Sequence, residues 1–119
     1  MRFRLALLIS LLVLLCTAPA SALIEGGGKN GCFWLDPNSY STYRYFWYYG
    51  YAGGASVNAA SGVDVDVYVY DDYSNLIVSG ASASSYENVS WWPRINTWFT
   101  VKVVNTSTRY GTNVCLVLL

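Results

Sequence analysis

The chain has 119 residues, 54% hydrophobic and 17% aromatic but only 12% charged, with seven basic residues against seven acidic ones and no histidine. The absence of a basic stripe weighs against nucleic acid as a partner. The absence of histidine removes the most frequent general base and metal ligand.

Residues 1–22 read as a secretory signal peptide. Arg2 and Arg4 form a positive n-region, and Leu5–Leu15 is an apolar run shorter than the ~20 residues that span a bilayer. Ala20-Ser21-Ala22 is a small-x-small cleavage site, so cleavage is expected after Ala22. A lipoprotein would instead place Cys16 at the processing site, but Leu15 before it is bulkier than expected there. The Ala-Ser-Ala also argues against an uncleaved anchor, and no stable membrane insertion is expected once the signal is gone. Removing 22 of 119 residues leaves 97, with five basic and seven acidic residues, a size for one domain near the lower limit of a single core.

Cys16 leaves with the signal, while Cys32 and Cys115 remain near the two ends of the mature chain. In an oxidising compartment they are expected to form a disulfide. The chain-entropy account gives such a loop ~4–5 kcal/mol. Two free thiols or a metal pair would lack partner ligands.

Residues 23–31, with Gly26-Gly27-Gly28, read as a flexible leader, and 32–119 as the domain. Asp36-Pro37-Asn38-Ser39 is a turn. Thr42–Tyr49 is a strand crowded with aromatics, followed by a loosening at Gly50–Gly54 and a short strand over Ala55–Ala59. Val63–Asp71 is the clearest element. Val63, Val65, Val67 and Val69 alternate with Asp64, Asp66, Tyr68 and Tyr70, which predicts a strand with one valine face buried and one face wet.

Asp72-Tyr73-Ser74-Asn75 connects it as a hairpin to Leu76–Ser79. Gly80–Ser85 is a small-residue loop, Tyr86–Trp92 a strand ended by Pro93, and Trp98–Val104 a strand alternating Phe99, Val101 and Val103 with Thr100, Lys102 and Val104. Asn105–Thr112 is a polar turn region and Asn113–Leu118 the last strand. Seven or eight short strands and no helical period predict an all-β sandwich.

The strand Val63–Asp71, followed by Ser74-Asn75-Leu76-Ile77-Val78-Ser79, resembles the bacterial and archaeal pre-peptidase C-terminal domain. That family shows an Asp-x-Asp-aliphatic-Tyr-aliphatic-Tyr-Asp strand, a turn, and Asn-Leu-hydrophobic. Glu87–Pro93 is similar to its strand ending in proline. Thr97–Val103 is similar to its Gly-Thr-Tyr-Tyr-Val-Arg-Val strand, with Asn96 where glycine is usual, and Tyr110–Val117 to its final strand. The likeness covers roughly residues 40–119. It implies a jelly-roll-like antiparallel β-sandwich that accompanies secreted peptidases, some relatives binding collagen or polysaccharide and some calcium. No peptidase precedes the domain here, so a stand-alone module is expected. A disulfide between the domain's ends is not a general feature of that family.

Asp64, Asp66, Asp71, Asp72 and Asn75 are candidate calcium ligands, since a hairpin rim offers the oxygens calcium needs. The competing view makes them a solvated strand face and a turn with local hydrogen bonds. Calcium is the one cofactor left open.

The aromatics are the other signal. Tyr43, Tyr45, Trp47 and Tyr49, with Tyr68 and Tyr70, are candidate ligand-contacting side chains, against the alternative of cross-strand packing. Asn88-Val89-Ser90 and Asn105-Thr106-Ser107 are glycosylation sequons. Catalysis has little support without histidine or a free thiol. The expected function is therefore a secreted, non-catalytic binding or adhesion module for extracellular polysaccharide or protein. A self-associating structural subunit of a surface layer or filament, and an accessory of a separately encoded secreted peptidase, are the alternatives.

Overall fold

The computed structural model describes residues 23–25 and 30–119. The signal-peptide expectation for residues 1–22 lies outside them, as do residues 26–29. The fold is all-β, with no helix among the described residues.

Among the described residues nine strands run in chain order: β1 (Leu23–Glu25), β2 (Asn30–Leu35), β3 (Tyr40–Trp47), β4 (Gly53–Asn58), β5 (Val65–Tyr70), β6 (Leu76–Gly80), β7 (Tyr86–Trp91), β8 (Thr97–Asn105) and β9 (Thr112–Leu118). They form a five-stranded sheet, β1-β3-β8-β5-β6, and a four-stranded sheet, β2-β9-β4-β7. The sheets pack face to face, as two half-apolar sheets must to hide their apolar sides.

Alternation decides what lies between them. Val65, Val67 and Val69 are fully buried, and β8 places Val103 and Val101 beside Val67 and Val69. Phe99 is buried on the same face. The facing sheet adds Val57, Val114, Leu116 and Leu118. The valine face expected from residues 63–71 is the core face.

Cys32 and Cys115 lie directly opposite each other on β2 and β9 and are disulfide-bonded, with Cα atoms 4.0 Å apart. The bond ties edge strand β2 to its one partner in the sheet.

Two expectations are corrected. The leader is not wholly irregular: Leu23–Glu25 pairs with β3 in parallel register, and Asn30 and Gly31 already belong to β2. The edge of β3 offers unpaired backbone groups, and a short segment satisfies them whatever its own propensity.

The second correction concerns Asn105. It is fully buried, and its Nδ2 donates to the carbonyls of Leu35 (3.2 Å), Asp36 (3.2 Å) and Tyr110 (2.8 Å), while Oδ1 accepts from Ser107 N (3.0 Å). It clamps three chain segments at one end of the sandwich, so the folded domain cannot present that amide to a glycosylating enzyme. Asn88, by contrast, is exposed on β7.

Candidate functional site

The predicted aromatic set does not gather on one surface. Tyr43 and Trp47 are buried, and Tyr45 is half-buried against the core. Register explains this. Tyr43 and Tyr45 sit opposite Val101 and Phe99, both inward, so they share the inward parity. Trp47 packs edge-on against Trp91 and Phe99, and its Nε1 donates to the Leu119 carbonyl at 3.0 Å.

The outward residues of β3 are Tyr40, Thr42, Arg44 and Phe46. Phe46 meets the Trp98 ring at 5.6 Å, and the Arg44 guanidinium lies 4.5 Å above that ring. Tyr68 and Tyr70 do point outward, half-buried on this same sheet.

Trp34, Tyr40 and Tyr86 are exposed on strands, but the most exposed aromatics lie in loops. Three loops leave the same end of the sandwich: 48–52 after β3, 71–75 after β5 and 92–96 after β7. They carry Tyr48, Tyr49, Tyr51, Tyr73, Trp92 and Ile95, with Tyr51, Tyr73 and Trp92 all at least 70% exposed. Loops at the opposite end contribute only Tyr110 among the described residues.

Hydrogen bonds set the second loop and tie the first to the third. Strand β3 stops at Trp47, because Thr97 opposite it is the first residue of β8. The chain then turns at Gly50, whose φ of +85° favours glycine. Tyr49 N donates to Asn96 Oδ1 at 2.8 Å, joining the first loop to the third. In the 71–75 loop, Asp71 Oδ1 accepts from Tyr73 N and Asn75 N, both at 2.9 Å, and Oδ2 accepts from Asn75 Nδ2 at 3.0 Å. These bonds from Asn75 hold the Asp71 carboxyl below its usual pKa. Ser74, at φ 64°, completes a turn that projects Tyr73.

Between the 71–75 and 92–96 loops lies an open groove of about 700 Å³. Phe99, Val78 and Trp91 form its apolar depth, and Asp72, Asn75 and Arg94 are among its polar lining. Trp91 fits because Gly53 leaves room: a Cβ there would fall 2.4 Å from the ring. A shallower hollow of about 540 Å³ adjoins it through the shared residues Arg94 and Ile95, and Tyr48, Tyr49 and Tyr51 line it.

The five candidate calcium ligands do not gather in one place. Asp64 and Asp66 lie at one end of β5 and Asp71, Asp72 and Asn75 at the other, about 16 Å apart along an extended strand. No group of three or more acidic, cysteine or histidine side chains could hold an ion among the described residues. Each carboxylate has another task. Asp71 builds its turn, Asp72 pairs with Arg44 at 2.9 Å, and Asp64 Oδ1 accepts from Ser84 N at 3.2 Å.

Asp66 is nine-tenths buried, with Oδ2 accepting from the Tyr68 hydroxyl and Oδ1 without a partner. Burial raises its pKa, Asp64 and then Glu87 add to the rise, and the Tyr68 bond opposes it. Glu87 is buried at the neighbouring β7 edge, where the Ser82 hydroxyl donates to it. A raised folded-state pKa means that the folded chain holds the extra proton. The Asp66 contribution is therefore greatest below the unfolded value of ~3.9 and is lost as pH rises through the folded pKa. Asp66→Asn is expected to stabilise the domain at pH 7 by about 1 kcal/mol, because the amide carries no charge for burial and Asp64 to oppose, a shift of one pKa unit being worth ~1.4 kcal/mol. That gain should vanish as pH falls towards 4. Urea melts of parent and variant across this range measure it, and a gain that grows in acid would contradict the assignment.

A signal for the loop site was present in the sequence. Tyr73 interrupts a polar turn that has no need of an aromatic, and Trp92 follows a strand already complete at Trp91.

No protein-family model matches the chain, and no curated protein matches it in sequence. Its fold is similar to that of the pre-peptidase C-terminal domain of a collagenase from Bacillus anthracis. The TM-score is 0.65 at 10% identity, over 83% of this chain and 96% of that one. It is also similar to PliG of Aeromonas hydrophila, a periplasmic inhibitor of g-type lysozyme, with a TM-score of 0.60 at 8% identity, over 86% of this chain and 100% of that one. CorA of Methylomicrobium album BG8, a surface-associated copper-binding protein, has a TM-score of 0.65 at 8% identity, over 86% of this chain and 99% of that one. The architecture is thus the pre-peptidase C-terminal type of β-sandwich that the strand motifs implied. These three proteins are named for different roles, so function follows from the site and not from the fold.

Proposed function

We propose that the chain is a secreted, non-catalytic binding module that holds an extracellular polysaccharide against its aromatic loop end. One observation carries this: exposed aromatic side chains concentrate in three bonded loops around a groove that also presents Asp72, Asn75 and Arg94. Sugar rings present C–H faces that stack on aromatic rings and hydroxyls that exchange hydrogen bonds with carboxylate, amide and guanidinium groups. Side chains held open to water at such density mark a contact surface.

The Cys32–Cys115 bond supports an oxidising compartment, as does the similarity to proteins named as periplasmic or surface-associated. The absence of histidine from the whole chain, and the bonding of Asp71 and Asp72 into turn and ion pair, support binding over catalysis.

Trp92→Ala and Tyr73→Ala in the mature protein should each weaken polysaccharide binding ten-fold or more, about 1.4 kcal/mol, and leave the melting temperature within a few degrees. Affinity electrophoresis across neutral and acidic polysaccharides tests this. Parent-like binding by both variants, or no retention of the parent by any polysaccharide, would refute the reading.

A further inference from the structure

Ten charged side chains lie between residues 30 and 119. Within strands, Arg44, Asp66 and Lys102 stand on the outer side of the five-stranded sheet, and Glu87 shares the inward parity of Val89 and Trp91. The rest are in loops. The strands of the four-stranded sheet carry none on their outer face, and the nearest, Asp36, stands at its rim, where its Oδ1 accepts from Trp34 Nε1 at 3.0 Å.

Two rows cross all four strands of that face. One is Asn30–Val117–Ser56–Asn88, and the next is Cys32–Cys115–Asn58–Tyr86. The first is knit by Ser56 Oγ donating to Asn88 Oδ1 at 3.1 Å. The second contains the exposed disulfide. Val117, Tyr86 and, one position beyond the second row on β2, Trp34 are exposed apolar groups on this face.

We propose that this face pairs with the same face of a second copy of the chain. Symmetry supplies the reason for choosing that partner. About a two-fold axis each residue near the centre meets its own copy, so any charge there would confront a like charge. A face of amides, hydroxyls, a disulfide and apolar side chains meets itself without that repulsion. It offers a charged partner nothing complementary.

The area sets the strength. Four strands ~4.8 Å apart, presenting about six residues each at ~3.3 Å per residue, give about 400 Å² per partner in projection. A standard stable interface buries about 800 Å² per partner. The pair is therefore weak and forms at high local concentration, as on a crowded surface. It leaves the loop-end groove free and does not depend on what that groove binds.

Sedimentation equilibrium of the mature protein from low micromolar to millimolar concentration tests the pairing. The weight-average mass should climb from one chain towards two. Val117→Lys and Asn88→Lys, both exposed positions in the first row, should each shift that climb to at least ten-fold higher concentration. Ser79→Lys, exposed on the other sheet, should leave it unchanged, and melting temperatures of all three confirm folding. A single-chain mass at every concentration overturns the proposal, including the case where this face instead retains a neutral polysaccharide in a manner sensitive to Val117→Lys. So does a dimer that persists in either folded row variant, or one that Ser79→Lys disrupts equally. Should one row variant fail to fold, the other decides.

Discussion

Val67→Asp is expected to abolish folding. Val67 has no solvent exposure and lies between Val103 on β8 and Gly80 on β6, facing the opposite sheet. Among the described residues a carboxylate there has no cation beside it on its own sheet, since Arg44 and Lys102 both stand on the outer side. Several kcal/mol for the unpaired buried charge, added to the lost valine burial of about 1.5 kcal/mol or more, meets a total stability of ~5–15 kcal/mol. The variant should lose its near-ultraviolet dichroism and be degraded or aggregated on expression. Tyr68→Ser, one residue along and facing outward, should retain the fold. If the Val67 variant melts like the parent, the assignment of the core face is wrong.

Removing the disulfide is expected to have the second largest effect. Cys32 and Cys115 are 83 residues apart in sequence, so the bond closes nearly the whole domain into a loop. The chain-entropy account assigns such a closure ~4–5 kcal/mol, exerted on the unfolded chain. For a domain of this size that corresponds to a fall of about 20 °C or more in melting temperature. The folded state suffers too, because β2 is an edge strand hydrogen-bonded only to β9 within its sheet. The Cys32→Ser/Cys115→Ser double variant should show this in reversible urea melts, as should the parent under reductant. A double variant within about 1 kcal/mol of the parent would mean that the ladder alone holds β2 and that the unfolded chain is already compact.

The legible parts of the fold were those where residue type changes with parity. Val63–Asp71 alternates valine with acid and tyrosine, so its buried face needs no knowledge of its neighbours, and Phe99, Val101 and Val103 read the same way. In Thr42–Tyr49 the contrast is weaker. Tyr43, Tyr45, Trp47 and Tyr49 share one parity, but Phe46 and Tyr48 stand with Thr42 and Arg44 on the other, so neither face is free of large apolar rings. Pairing with β8 settles it by bringing Tyr43 and Tyr45 beside inward residues, which leaves Phe46 outside with Arg44 and Trp98. The candidate ligand surface therefore moved from the strand to the loops. Of the six aromatics first considered, Tyr49 is the one that lies there.

Asn105 shows the same limit for a motif. Asn-Thr-Ser in a polar turn region matches a sequon, and nothing local says that the carbonyls of Leu35 and Asp36, some seventy residues earlier, will close around its amide. The acidic set shows it for charge. Asp66 and Asp71 are close in sequence, but an extended strand holds them far apart, and each is then claimed by whatever lies next to it.

The sequence by itself determined the fold class, the buried faces of β5 and β8 and the cysteine pair, because strand periodicity and loop closure are properties of the chain read along its own length. Only the tertiary structure decided which aromatics are core, which carboxylates stand together and which sheet face is free of charge. Those depend on the register between strands far apart in sequence, and register is set by the whole sandwich closing at once.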